Sequence, residues 1–211
     1  MNDLNWFGVD QTQVKGYVYV VEDDVGMRDS IKRILVSQNY RVLAFSDPAK
    51  FLEVVSDGPS PCMLLLDMRL PNVTGLFVQN ALSERGIDFP IVFMSGESTV
   101  LQAVKAIEAG AVQFLVKPVS RTALLEAVQR GLSEDVKRRE KQASQQRLDK
   151  MMGRLTARER EVLEYVKRGL QNAEIATQLD ISVATVKQHK SSIMIKCDVR
   201  TFAELLEALK V

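Results

Sequence analysis

Histidine and cysteine are scarce in this 211-residue chain, and their scarcity limits the chemistry that it can perform. His189 is the only histidine, and the two cysteines, Cys62 and Cys197, lie far apart in the sequence. We therefore expect neither a zinc site of the usual ligand spacing nor a histidine-dependent catalytic triad. Any chemistry must depend on carboxylates, lysine and hydroxyl groups.

Long apolar runs are also missing. No run approaches the roughly 18 to 20 residues that a membrane-spanning helix needs. The first residues carry Asp3 and lack the basic start and apolar core of a signal peptide. The sequence therefore predicts a soluble, cytoplasmic protein without a membrane partner.

Proline is confined to the first 118 residues, at positions 48, 59, 61, 71, 90 and 118. The proline-free remainder lacks strand-like alternation and is expected to be largely helical. Residues 1–120 carry 10 basic and 14 acidic side chains, whereas residues 121–150 carry 8 and 5 and residues 151–211 carry 10 and 8. An acidic first part and a mildly basic remainder favour two domains, the second with an acidic partner.

In the first part, strand and helix signals alternate along the chain. The predicted strands are Tyr17–Val21, Arg41–Phe45, Met63–Leu66, Ile91–Met94 and Val112–Val116. The predicted helices are Val25–Gln38, one opening at Asp47-Pro48, Thr74–Arg85 and Ser98–Ala109. Short apolar strands between helices predict a doubly wound α/β domain whose parallel sheet is covered on both faces.

The second part has the signals of consecutive helices. Ser120 can cap a helix, and the charged, glutamine-rich stretch Glu134–Lys150 favours a solvated helical linker over a dimerising coiled coil, because its apolar seam is thin. Capping-box sequences begin at Thr156 and Thr201. Between them, Asn172–Leu179 and Ser182–Lys196 are joined by a tight turn, which is typical of a helix-turn-helix.

Three carboxylates stand at the ends of the predicted strands. Glu22 and Asp23 follow one apolar run, and Asp67 follows another. The carboxyl ends of parallel strands meet at one edge of the sheet, where crowded negative charges repel. Hard oxygen ligands of this kind suit a divalent cation, and a bare aspartate beside such an ion can accept a phosphoryl group.

These motifs resemble two known families. Val21-Glu22-Asp23-Asp24, Leu66-Asp67-Met68-Arg69-Leu70-Pro71 with Gly75, Phe93-Met94-Ser95-Gly96 and Phe114-Leu115-Val116-Lys117-Pro118 resemble the receiver domain of a two-component response regulator. The stretches 155–163, 172–176 and 182–189 resemble the LuxR/NarL-type four-helix DNA-binding domain, in a FixJ-like arrangement. Together the two resemblances cover about residues 15–210, nearly the whole chain.

The resemblance implies a domain organisation and a function. It assigns residues 1–14 to a tail, 15–132 to a receiver with a five-stranded sheet of flavodoxin-like order, 133–153 to a long helical linker and 154–211 to the DNA-binding domain. It further implies a non-enzymatic transcription regulator. A sensor histidine kinase would phosphorylate Asp67, and the homodimer that forms would bind double-stranded promoter DNA, with RNA polymerase as a further candidate partner.

The resemblance also assigns roles in the receiver. Asp67 is the implied phospho-acceptor, with Lys117 and Ser95 contacting the phosphoryl group and with Ser95 and Phe114 as the switch pair. The implied ligands of Mg²⁺ or Mn²⁺ are Asp23, Asp67, Glu22 through water, and the backbone carbonyl of Arg69. The Lys117-Pro118 bond is expected to be cis. Two positions depart from the commonest pattern, with Glu22 in place of Asp and Phe114 in place of Tyr.

In the second domain, the implied DNA-contacting helix begins at Ser182. Its predicted inward stripe is Val183, Val186, Ile193 and Cys197. Lys187, Gln188 and Ser191 are predicted to lie on the outward face, where Lys187 and Gln188 suit base edges. Ser182, Thr185 and Lys190 suit phosphates. Ala173 stands where the family often has lysine, so one phosphate contact is expected to be missing.

Two other hypotheses fit parts of the sequence. A Mg²⁺-dependent phosphatase with a phosphoaspartate intermediate would need a second acidic residue near its nucleophile, but Met68 and Arg69 follow Asp67. A protein-interaction relay without DNA contact would leave the helix-turn-helix unused. We expect retardation of genomic DNA fragments to distinguish a regulator from a relay.

Overall fold

The computed structural model of the protein describes residues 14–55, 58–96 and 100–209. Residues 1–13 of the predicted tail and Ser98, the predicted start of a helix, lie outside these ranges. The chain divides into two compact units, the first reaching Arg138 and the second beginning at Arg139.

The first unit contains a five-stranded parallel sheet, whose strands are β1 (Gly16–Val21), β2 (Tyr40–Phe45), β3 (Cys62–Asp67), β6 (Ile91–Ser95) and β7 (Gln113–Val116). Their order in the sheet is β2-β1-β3-β6-β7. The intervening helices are α1 (Val25–Val36), α2 (Pro48–Val54), α3 (Gly75–Glu84) and α4 (Val100–Glu108), and α5 (Arg121–Gly153) follows the last strand. The predicted doubly wound α/β fold is confirmed, and the sheet order is that of flavodoxin-like domains.

A short antiparallel hairpin departs from the predicted pattern. Its strands, β4 (Arg69–Leu70) and β5 (Val73–Thr74), connect β3 to α3. Asn72, with a φ of 66°, lies at the tip of this hairpin. Two-residue strands are too short to show alternation in the sequence, which is why no periodic signal indicated them.

The central strands are buried on both faces, as their unbroken apolar runs predict. One face packs side chains such as Tyr19, Leu64 and Phe93 against α2 and α3. The other face packs Val20 and Met63, among others, against α1 and α5. Because alternate residues of each strand enter opposite cores, every position of these runs must be apolar until the strand ends.

The register of the sheet brings the ends of the strands together. Val21 pairs with Leu66, Asp67 pairs with Met94, and Ser95 pairs with Val116. The residues after these paired positions therefore emerge at one edge, from β1, β3, β6 and β7. This edge is where the sequence predicted the functional site.

The beginning of α5 is attached to the opposite end of the sheet by Asp135, which is fully buried. Its Oδ2 accepts a hydrogen bond from the backbone N–H of Cys62 at 2.9 Å, and its Oδ1 accepts one from Arg138 at 2.6 Å. The sequence assigned Asp135 to a solvated linker, because a single acid in a charged stretch resembles its exposed neighbours. In the structure Asp135 belongs to the receiver unit.

The second unit consists of the end of α5 and the helices α6 (Ala157–Lys167), α7 (Asn172–Leu179), α8 (Val183–Cys197) and α9 (Phe202–Ala208). The predicted inward residues Val186, Ile193 and Cys197 lie in its core. Val183 does not: its side chain is 41% exposed, because it lies in the first turn of α8, before the helix packs on its neighbours.

The two predicted capping boxes differ in outcome. Thr156 and Glu159 form a reciprocal pair at the start of α6, as predicted. At α9, Thr201 accepts from the backbone N–H of Glu204, but the Glu204 carboxylate accepts from Arg200 N, so the reciprocal bond is made one residue earlier. Among the described residues, no helix is long and apolar enough to cross a membrane.

Candidate functional site

Three acidic side chains meet at the carboxyl edge of the sheet. Candidate ligand oxygens of Glu22, Asp23 and Asp67 all lie within 4.8 Å of one another. Glu22 and Asp67 are buried, whereas Asp23 is exposed. The structure thus brings together the three carboxylates that the sequence placed at one edge, with one of them open to solvent.

Lys117, from the end of β7, joins two of these carboxylates. Its Nζ donates to both carboxylate oxygens of Glu22, at 2.9 and 2.8 Å, and to Oδ2 of Asp67 at 2.6 Å. A buried carboxylate requires a partner that compensates for its lost hydration, and one ammonium group serves two of them here. The Lys117-Pro118 peptide bond is cis, as predicted.

Burial and the oppositely charged neighbours shift the pKa values of Glu22 and Lys117 in opposite directions. Burial raises the pKa of Glu22 to about 7, because the hydrogen bond from Lys117 offsets the lost hydration only in part and the charge of Asp67 adds to the rise. Burial lowers the pKa of Lys117, but its hydrogen bonds to Asp67 and Glu22 outweigh that effect and raise it overall. The site therefore favours the protonated form of Lys117 and disfavours the ionised form of Glu22.

Backbone contacts fix the loops that carry the acids. Arg28 of α1 donates to the carbonyl oxygens of Glu22 and Asp23, at 2.8 and 3.0 Å. Oδ1 of Asp67 accepts from the backbone N–H of Arg69 at 2.9 Å. The sequence reasoning missed Arg28, and its place one turn into the helix after the acidic run was the signal that could have indicated it.

The predicted switch pair lies on two adjacent strands, with Ser95 at the end of β6 and Phe114 in β7. Ser95 is 1% exposed, and its Oγ has no hydrogen-bond partner among the described residues. Phe114 is half-buried, and its ring stacks at 6.5 Å, centroid to centroid, on Phe93. A hydroxyl without a partner is available to a group that arrives at Asp67.

Gly75 allows the start of α3 to pack directly against the backbone of Asp67 and the ring of Phe93. A Cβ atom at Gly75 would lie 2.6 Å from the carbonyl oxygen of Asp67 and 2.7 Å from the Phe93 ring. Both distances are shorter than any van der Waals contact, so the start of α3 can approach β3 this closely only with glycine.

The chemistry of the donor set suits Mg²⁺ or Mn²⁺. These ions prefer oxygen ligands, and Mg²⁺ binds them at about 2.0–2.1 Å with several waters retained. The exposed carboxylate of Asp23 and the carboxylate of Asp67 are two such donors within reach of each other. Glu22 is held by Lys117, and its role as a ligand through water stays a prediction.

In the second unit, α7 and α8 form a helix-turn-helix. The turn between them contains Asp180 in the left-handed region, with a φ of 51°, and Ser182 caps α8 by accepting from Thr185 N at 3.0 Å. Lys187, Gln188 and Ser191 are exposed on α8, and Ser182 is exposed at its start.

Three of the predicted contact residues interact within the domain itself. Lys190 is half-buried; its Nζ donates to Asn172 at 3.1 Å and lies 4.9 Å from the centre of the Phe202 ring. The hydroxyls of Thr185 and Ser182 lie 2.8 Å apart. Lys190 therefore contributes to packing between helices α7, α8 and α9, and its phosphate contact stays a prediction.

Glu159 holds α8 against the start of α6. Its carboxylate is 4% exposed and accepts from Ser192 Oγ at 2.5 Å, from Lys196 Nζ at 2.8 and 2.7 Å, and from Thr156 N at 2.8 Å. Burial alone would raise the pKa of Glu159, but these hydrogen bonds lower it to about 2. The sequence indicated the capping bond but not the two contacts to α8, which join residues far apart in the chain.

A phosphoacceptor-type acidic site on one unit and a helix-turn-helix on the other define a class, the DNA-binding response regulators. Residues 18–129 match the response regulator receiver domain, and residues 153–208 match the bacterial regulatory proteins of the luxR family. The chain belongs to the response regulators that combine these two domains.

Several relatives match the chain over most of their own length. Nodulation protein W of Bradyrhizobium diazoefficiens is 35% identical over 199 residues, which are 94% of this chain and 87% of that protein. The transcriptional regulatory protein FixJ of the same species is 31% identical over 192 residues, or 91% and 93% of the two chains. The solved structure of the response regulator StyR has a TM-score of 0.80 and 36% identity, and covers 93% of this chain and 99% of that one. The predicted FixJ-like family membership is confirmed.

The first prediction concerns the cost of the buried Glu22 charge. The pKa of Glu22 is raised from 4.5 in the unfolded chain to about 7 in the folded protein. The contribution of neutral Glu22 to the free energy of unfolding is therefore fully present below pH 4.5 and is lost as the pH rises through about 7. We expect Glu22→Gln to stabilise the metal-free protein at pH 8 by about 1–3 kcal/mol, as calorimetry in EDTA would measure. The control Glu53→Gln, on the exposed side of α2, should change little. A destabilised Glu22→Gln protein would show that the Lys117 pair outweighs burial.

The second prediction concerns the anchor of α8. The lowered pKa of Glu159 means that its contribution is present above pH 4.5 and is lost as pH falls toward about 2. We expect Glu159→Gln to lower the free energy of unfolding by about 2–3 kcal/mol at pH 7, and by less at pH 3. Glu161, which is 52% exposed and paired with Arg158, supplies the control Glu161→Gln, with an expected loss below about 0.5 kcal/mol. Equal losses in urea titrations of both variants would contradict the anchoring role.

Proposed function

We propose that Asp67 is the phosphoryl acceptor of this regulator and that its phosphorylation promotes dimerisation and promoter binding. The observation that carries the proposal is the convergence of Asp67, Lys117 and the unpartnered hydroxyl of Ser95 at one edge of the sheet. Phosphorylation-dependent control is the mechanism of the family, and these three groups are the chain's own means of performing it.

The proposed transfer takes a phosphoryl group from a phosphohistidine of a sensor kinase. An oxygen of the Asp67 carboxylate forms the new bond to phosphorus while the bond from phosphorus to the histidine nitrogen breaks, and that nitrogen keeps the electron pair and takes up a proton from solvent. The ammonium of Lys117 stabilises the charge on the transferring oxygens, and the Ser95 hydroxyl donates to one of them. Catalysis then depends on positioning and electrostatics.

Asp23, Asp67 and the backbone carbonyl of Arg69 would hold the Mg²⁺ or Mn²⁺ ion, with Glu22 acting through water. The bound cation neutralises negative charge on the phosphoryl oxygens. Arg28 keeps the loop of Asp23 in place through the two carbonyls that it binds.

Phosphorylation adds about −1.5 to −2 charges at neutral pH. In the proposed switch, Ser95 moves toward the new group and Phe114 turns into the space that it leaves. The surface next to this pair carries exposed apolar side chains of α4 and β7, namely Val104, Ile107 and Val116. Apolar groups of this kind favour pairing with a second copy of the receiver.

In the dimer, the second helix of each helix-turn-helix would enter the major groove of promoter DNA. Two copies would then bind half-sites about one helical turn apart, in an inverted or direct repeat. In this proposal Lys187 and Gln188, which are exposed on α8, contact base edges, and the further contacts are Ser182, Thr185, Lys190 and Ser191. The match to the luxR family favours this function over that of a relay without DNA contact.

The third prediction tests the acceptor. We expect Asp67→Asn to abolish both uptake of phosphate from acetyl phosphate with Mg²⁺ and the dimerisation that follows, because the amide oxygen is a poor nucleophile. Intact-mass spectrometry and light scattering measure the two effects. Asp29→Asn, which changes an exposed acid on α1, should behave like the unaltered protein. Phosphorylation and dimerisation of the Asp67→Asn protein would place the acceptor elsewhere.

The fourth prediction tests base contact by Lys187. We expect Lys187→Ala to weaken specific binding by about 1–3 kcal/mol and to relax the preference at one base position. Lys167→Ala removes an equivalent charge from α6, where Lys167 pairs with Glu164, and should leave the preference unchanged. Site selection from randomised DNA by the phosphorylated protein, at fixed salt, measures both. An unaltered selected site for Lys187→Ala would refute the role.

A further inference from the structure

A cavity in the receiver unit lies at the end of the sheet opposite the acidic site. Its volume is about 190 Å³, and its lining includes Ile91, the first residue of β6. Ser95, the last residue of that strand, belongs to the phosphorylation site. At about 3.3 Å per residue, the two ends of the strand lie about 13 Å apart. The proposed function uses none of the groups that line this cavity.

A buried amide on α3 faces the cavity with one half unsatisfied. Gln79 is 7% exposed, and its Nε2 donates to the carbonyl oxygen of Ala109 at 2.8 Å. Only the nitrogen can donate to a carbonyl, so this bond fixes the orientation of the amide. The Oε1 atom is buried and has no hydrogen-bond partner among the described residues. Buried oxygen acceptors in folded proteins almost always accept a hydrogen bond, so a donor is expected to bind Gln79 Oε1.

The rest of the lining specifies what kind of donor fits. Leu82, Phe89 and Ile91 are buried and supply apolar walls, while the carboxylate of Asp88 stands at the exposed rim. Helices α3 and α4 both end beside the cavity, and the carbonyl ends of helices carry partial negative charge. Arg138 also lies near the rim, with its Nη1 3.8 Å from Asp88 Oδ2.

We propose that this cavity binds a small organic cation with an apolar body, such as an amine or an amidinium. An N–H of the ligand donates to Gln79 Oε1, its charge lies near Asp88, and its apolar body covers Leu82 and Phe89. A water molecule would satisfy the acceptor alone and would leave those walls uncovered. Because Gln79 also holds Ala109, at the end of α4, a ligand bound here contacts the residue that fixes that helix end.

The test is a titration of the ¹⁵N-labelled full chain with benzamidinium chloride, followed by NMR. We expect saturable shifts at millimolar ligand, concentrated in the amides of residues 79–91 and 109–110. Benzoate has a similar ring but the opposite charge, and it should produce no such shifts. Absence of saturation, or equal responses to the cation and the anion, would overturn the proposal.

Two variants identify the groups responsible. Asp88→Asn removes the rim charge from an exposed position and should weaken benzamidinium binding at least threefold, whereas Glu84→Gln, an exposed acid at the end of α3 that does not line the cavity, should leave it unchanged. Gln79→Met keeps the size of the side chain but removes the acceptor, and it should weaken binding about tenfold. Equal binding by Asp88→Asn and Glu84→Gln would refute the site even if Gln79→Met failed to fold.

Discussion

The ammonium of Lys117 between the carboxylates of Glu22 and Asp67 is the interaction on which the receiver site depends. Removing the Lys117 ammonium would leave the buried carboxylates of Glu22 and Asp67 without compensation, which is far costlier than the loss of an exposed ion pair. Asp67 ends β3, while Glu22 and Lys117 directly follow β1 and β7, so the bridge forms only when the strands from β1 to β7 have assembled. The geometry of the site therefore depends on the correct order of these four strands.

This bridge also makes the site responsive to a change in charge. The Lys117 ammonium donates hydrogen bonds to two carboxylates, Glu22 and Asp67. A further anion or a metal ion at Asp67 would compete for these hydrogen bonds and change how they are shared. Ser95 offers an unpaired hydroxyl beside it, and Gly75 leaves no room behind the Asp67 backbone. In the proposed switch, the side of Asp67 that faces Ser95 is the side where an added group finds a free hydroxyl donor.

The sequence predicted the elements of both units well where the signals are local. Apolar runs ended by acids predicted the strands and their functional edge, and Thr156 with Glu159 predicted the start of α6. Two of the misses have a common cause, because they depend on contacts between distant residues. Asp135 binds Cys62, and Glu159 binds Lys196, and neither pair is visible in any window of the sequence. Val183 was misassigned because periodicity says nothing about where a helix begins to pack.

The position of the Glu159 anchor has a consequence for how such regulators diversify. Its contacts to α8 fall on Ser192 and Lys196, in the C-terminal half of the helix, whereas Lys187 and Gln188 lie in the half that precedes them. In the proposed complex, the Glu159 anchor and the base-contacting pair Lys187 and Gln188 therefore occupy different stretches of α8. Duplicated copies of such a gene can acquire new operators by changes in a few exposed positions, while the core that orients the helix is inherited intact.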